Sequence, residues 1–204
     1  MKILSEKLPT KIRVNNKIYD INYDFRTAIK TIECFEDEDL DYSEKIYITL
    51  QNIYKGAVFE DEDIKEAYQK AIKFLDLGKE TNEKDDNQRP RIYSFSKDEN
   101  YIFSGINSTH GINLQKEKDL HWWTFMSLFL DMGDNCFFSE LIYYRKRKAE
   151  GKLTEYEKKK YNEIKDLVEI DNKPKINESK ELFLQELRSG SRWFTGKESN
   201  SNRY

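Results

Sequence analysis

From Leu120 to Met132 the chain reads Leu-His-Trp-Trp-Thr-Phe-Met-Ser-Leu-Phe-Leu-Asp-Met, with hardly a polar break. Two of the three tryptophans fall here, in a chain whose mean hydropathy is −0.90 and whose residues are 36% charged. Burial of apolar surface is the main favourable term in folding, so a chain with few apolar side chains must bury them where they are concentrated. This stretch is therefore expected to be the centre of the core, and whatever else forms must pack around it.

The 204 residues suffice for one domain, or one domain with appendages, without the help of disulfides or metals. Hydrophobic residues make up 37%, but 13 tyrosines and 12 phenylalanines supply bulk that aliphatics usually provide. Lys+Arg 35 against Asp+Glu 38 leaves a net charge of −3, without the basic excess of a dedicated nucleic-acid binder. Cys34 and Cys136 are isolated and fit a reducing compartment. The start, Met1 to Leu8, has no apolar leader core, and no run approaches the roughly 18 apolar residues of a membrane span, so neither a leader nor a membrane is expected.

The spacing predicts a mainly α protein, a helical domain with a small N-terminal β-hairpin packed on it. Ile12 and Val14 alternate with charges, Asn15-Asn16 is a turn signal and Ile18 follows, which predicts a hairpin over 11–21. Helical spacing follows at Phe25, Ala28, Ile29, Ile32 and Phe35, with Asn22 or Asp24 as N-cap. Ile46, Leu50 and Ile53 mark a second helix closing near Gly56, and Ile64, Ala67, Tyr68, Ala71, Ile72 and Leu75 a third closing at Gly78. Residues 79–90 hold no core-forming side chain and read as a polar linker between 1–78 and a helical region over 91–170. There, Ser96-x-x-Glu99 looks like a capping box for a helix reaching Gly111, and the tryptophan helix is expected over about 117–132. Gly133-Asp134-Asn135 breaks it; further helices are expected over about 138–149 and, behind the Thr154-x-x-Glu157 capping box, to about Val168. The last part, 171–204, reads as an appendage with a short amphipathic segment at Leu182, Phe183 and Leu187 and a disordered tail.

The candidate chemistry favours structure over catalysis. Phe35-Glu-Asp-Glu-Asp39 recurs as Phe59-Glu-Asp-Glu-Asp63, each before a predicted helix, where carboxylates favour the helix dipole. A calcium loop would need a turn glycine that neither copy has. His121 has Glu117 at i−4 and Phe125 at i+4, too few donors for a metal, and with Thr124, Ser127 and Asp131 it reads as a polar stripe of a packed helix. His110 precedes a C-capping glycine. Arg145-Lys-Arg-Lys148 and Lys158-Lys-Lys160 alternate with Glu150, Glu155, Glu157 and Glu163, including the i,i+4 pair Glu155–Lys159, and read as a solvated charged surface rather than a nucleic-acid site. Arg192, Trp193 and Phe194 form a candidate docking peptide in the polar tail. No phosphate loop, nucleophile elbow or metal-protease motif is present, and neither catalysis nor a cofactor is expected.

Asp119-Leu120-His121-Trp122-Trp123-x-Phe125 resembles the signature of the bacteriophage family named after gene product fifteen, from the tail-gene modules of long-tailed phages. Tyr93-x-Phe95, Asp98 to Tyr101-Ile102, Gly111-Ile112-Asn113-Leu114, Phe138, Ile142 and Arg145 extend the resemblance over 91–148, and Tyr23-Asp24-Phe25-Arg26 carries it into 11–78. The resemblance implies a tail assembly chaperone acting in the host cytoplasm, binding the tape-measure protein and helping tail tube subunits polymerise around it. It carries no catalytic residues; Leu120, His121, Trp122, Trp123 and Phe125 serve as its structural signature. A tail-completion component of the virion is the first alternative, and a nucleic-acid-binding regulator using the 145–160 helix the second. Oligomeric state is left open.

Overall fold

The computed structural model describes residues 3–79 and 91–170. Strands β1 (Lys11–Val14) and β2 (Lys17–Asp20) pair antiparallel with Val14 opposite Lys17. Asn15 turns the chain at φ 47°, a left-handed conformation that asparagine tolerates better than most residues. A two-stranded hairpin is marginal alone. Here its turn is held by α3 (Asp61–Leu75): the Asn15 amide donates to Glu66, the Asn15 side chain to Asp63, and Lys70 to the Arg13 carbonyl.

Helices α1 (Phe25–Glu36), α2 (Tyr42–Ile53) and α3 pack as successive neighbours, α1 on α2 and α2 on α3. Of the two expected N-caps for α1, Asp24 takes the role, accepting from the Arg26 amide at 2.8 Å. Asp41 opens α2 with a capping box to Glu44. The acidic repeats therefore differ in role. The second copy supplies Asp61, Glu62 and Asp63 to the first turn of α3, as the dipole argument expects. In the first copy Phe35 and Glu36 end α1 instead, and Glu36 pairs with Arg91 across the chain. Among the described residues no group of three or more His, Cys, Asp or Glu is arranged to hold a metal.

The second half contributes α4 (Phe95–His110), α5 (Trp122–Leu130), α6 (Phe137–Ala149), α7 (Glu155–Glu163) and the short α8 (Lys165–Val168). The protein is mainly helical, with the hairpin at its N-terminal end. One large apolar cluster takes residues from both halves, from Val14, Phe25, Ile53 and Phe74 to Phe95, Trp122, Phe125 and Phe138. A smaller one, Leu141, Tyr144, Tyr161 and Val168, joins α6 to α7 and α8. No helix among the described residues is long and apolar enough to cross a membrane. Residues 80–90 of the expected linker and the whole of 171–204, including Leu182, Phe183, Leu187, Arg192, Trp193 and Phe194, lie outside the described residues.

Three expected boundaries shift. The cap of α4 is Ser94, not Ser96: its hydroxyl accepts from the Lys97 amide, and Asp98 reaches back to the Ser94 amide, replacing the Ser96–Glu99 box. The shift lets Phe95 open the helix as a buried residue. The tryptophan helix begins at Trp122 rather than near 117, because the Leu120 carbonyl and the Trp122 amide pair with the Phe25 amide and Tyr23 carbonyl in a short antiparallel bridge. The expected last helix breaks at Ile164 into α7 and α8.

Candidate functional site

The two stretches carrying the resemblance, Tyr23–Arg26 and Leu120–Phe125, meet in space. His121 is the N-cap of α5, at φ −63° and ψ 137°, and not a residue of a helical stripe. Its Nδ1 accepts the Trp123 amide at 3.0 Å, and its Nε2 donates to the Pro9 carbonyl at 3.0 Å. That pair of partners fixes the neutral tautomer, with the proton on Nε2. Burial pushes the imidazole pKa down, against the opposing pull of the Pro9 carbonyl. Both ring nitrogens are committed to main-chain groups, which leaves neither a lone pair nor a proton for a substrate. Glu117 sits outside any helix with His121; its carbonyl, like that of Leu114, accepts from Arg26.

Aromatic stacking ties the junction together. Tyr23 stacks on His121 at 5.3 Å between ring centroids, and Phe25 on Phe125 at 4.8 Å. Such pairs add about 0.5–1.5 kcal/mol each beyond the area they bury. Leu120 is half-buried and acts through its carbonyl, whereas Trp122, Trp123 and Phe125 are buried.

The indoles also finish α3. A helix C-terminus leaves its last four carbonyls without helical partners. In α3 the Asp76 amide takes Ile72, the Gly78 amide takes Lys73, the Trp123 indole donates to Phe74 at 2.8 Å and the Trp122 indole to Leu75 at 2.9 Å. Gly78 is required by this arrangement: it sits at φ +77°, and a Cβ there would lie 2.9 Å from Trp123 Cη2.

A second buried polar centre was missed by sequence reasoning. Arg145, expected on a solvated basic surface, is 6% exposed. All five of its N–H donors are used. Nη1 and Nη2 grip Asp98 at 2.6 and 2.9 Å; the remaining donors reach the carbonyls of Ile92, Leu167 and Val168. A buried carboxylate is tolerated when so paired and bonded. Asp98 and Arg145 both stand at positions where the resemblance runs, and their spacing within a charged run gave no other sign. Four further members of the basic stretch are locally ion-paired: Arg147 with Glu157, Lys148 with Glu169, Lys160 with Glu163, and Lys158 with Glu155, where Lys159 was the expected partner. Glu157 is held down at about 2 by hydrogen bonds, first from the Tyr143 hydroxyl and then from the Thr154 amide and Arg147. His110 ends α4 before Gly111, as expected, and its Nε2 contacts the Leu128 carbonyl at 2.9 Å.

Of the two cysteines, Cys34 is buried, and burial pushes its thiol up to about 11, far from a reactive thiolate.

Neither a comparison with curated proteins nor one with solved structures finds a match. The family model described as Bacteriophage Gp15 protein matches residues 4–170, which includes the junction, the Asp98–Arg145 pair and all the helices described above. The chain belongs to this bacteriophage Gp15 family, a family of phage virion-related proteins.

Proposed function

We propose that this protein is a non-catalytic tail assembly chaperone that binds the phage tape-measure protein in the host cytoplasm and keeps it soluble while tail tube subunits polymerise around it. Family membership over residues 4–170 is the observation that carries the reading. The geometry supports it in two ways. The residues most suggestive of catalysis, His121 and its tryptophans, are consumed by packing and main-chain hydrogen bonds. A mainly helical body with a charged exterior also suits a partner that offers long amphipathic helices.

Co-expression with the tape-measure protein tests the reading. The two should co-purify, and the tape-measure protein should become soluble. Failure of this chain either to bind or to solubilise it would overturn the proposal. Mass spectrometry of purified particles separates the chaperone from a tail-completion component: a chaperone is absent or present in trace, whereas a stoichiometric copy number favours the structural role.

A further inference from the structure

Helices α7 and α8 are attached to the rest of the molecule differently from every helix before them. Of their residues only Tyr161 and Val168 are buried, and both belong to the small cluster on α6 rather than to the main core. Helices of this length are marginal without packing. The ion pairs along them are solvent-exposed, apart from Arg147–Glu157 at the α6 contact, and exposed pairs stabilise little. Where α6 meets them, an open cleft of about 330 Å³ lies among Lys148, Leu153, Tyr161 and Lys165. Few buried apolar side chains, most of them facing one neighbouring helix, are the physical mark of a segment that opens locally.

The seat beneath is well defined. On α6 it offers the buried Leu141 and Tyr144, with Tyr101 of α4 at its edge. At its end, Arg145 Nε donates to the Val168 carbonyl at 2.6 Å and Nη2 to the Leu167 carbonyl at 3.0 Å. When α7 and α8 lift away, those two donors lose their partners while the grip on Asp98 remains. The present occupant states what the seat accepts: apolar side chains at Tyr161, Ile164 and Val168, spaced i, i+3 and i+7, followed by helix-terminal carbonyls for the guanidinium.

We propose that α7 and α8 form a displaceable strap, and that the seat on α6 receives an amphipathic helix of another protein with the same apolar spacing and its C-terminus at Arg145. The identity of that helix rests on the tape-measure reading above; the seat itself does not.

The test uses the full chain and a labelled peptide of residues 153–170 of this same chain, so its failure is distinct from failure of the tape-measure reading. The wild-type strap competes with the peptide. The double variant Tyr161→Ala/Val168→Ala, with a weakened strap, should bind the peptide at least roughly ten-fold more tightly than wild type. Glu157→Gln, which weakens the half-buried strap anchor to Tyr143 and Arg147 and leaves the seat intact, should bind it with intermediate affinity. Amide exchange in α5 checks that each variant keeps its core. If the double variant unfolds, Glu157→Gln decides. Equal binding by wild type and variants, or no binding by a variant whose α5 stays protected, overturns the proposal.

Discussion

Two regions of this molecule close a helix C-terminus with buried donors, and they do so with opposite chemistry. At α3, two neutral indoles take the Phe74 and Leu75 carbonyls from within the large aromatic core. At α8, one guanidinium takes the Leu167 and Val168 carbonyls while neutralised by Asp98, beside a cluster of four buried residues. The first arrangement gains most of its stability from apolar area and shape. The second depends on a charge pair whose desolvation cost is offset only when every bond is made. One region should therefore resist any exchange of its residues, and the other should tolerate a concerted one.

The largest expected effect is in the indole region. Trp122→Ala should cost roughly 3–5 kcal/mol as a core truncation, and it also leaves the buried Leu75 carbonyl unpaired. Urea unfolding would measure this; a loss within experimental error would remove Trp122 from the core's centre. Arg145→Ala should cost about 3–5 kcal/mol by leaving Asp98 as an unpaired buried charge. The double variant Asp98→Leu/Arg145→Met should recover the part of that loss due to the unpaired charge, leaving the cost of the unpaired Leu167 and Val168 carbonyls and Ser94 amide, a partial rescue with no counterpart among the tryptophans. If the pair variant is as unstable as the single one, the contrast between the regions fails. Gly78→Ala should cost about 1–3 kcal/mol, through its left-handed backbone and the collision with Trp123.

The smallest effect is a pH dependence confined to the indole region. Burial lowers the folded pKa of His121 below its ordinary 6.5. Folding thus favours the neutral ring: its contribution is fully present above the unfolded value and is lost as pH falls through the folded one. His121→Asn keeps a capping oxygen for the Trp123 amide and removes the titration. Stability should fall less for the variant than for wild type between about pH 7 and about pH 5. Parallel profiles would show that the ring does not titrate on unfolding.

The same comparison explains what the sequence revealed and what it hid. The apolar run announced the core, and helical spacing located α1 to α3, the hairpin turn at Asn15 and the Thr154–Glu157 cap, because these depend on neighbours in sequence. The start of α5 was hidden, since residues 117–121 are held off the helix by a backbone bridge to Tyr23–Phe25, nearly a hundred residues away. Ser94 was hidden as a cap because its reciprocal partner is Asp98, one position later than a capping box expects. Arg145 was hidden because a charged run looks the same whether one of its members faces water or a buried carboxylate. The signature around His121 was legible as core; its histidine's task, capping α5 and tethering Pro9, required the fold.

Amide hydrogen exchange of the full chain, alone and in complex with the tape-measure protein, most directly tests whether the tryptophan signature is scaffold and the α6–α8 side is contact surface. Binding should change exchange in α6, α7 and α8 and leave α5 unchanged. New protection confined to α5 and the end of α3, with α7 and α8 unaffected, would contradict it.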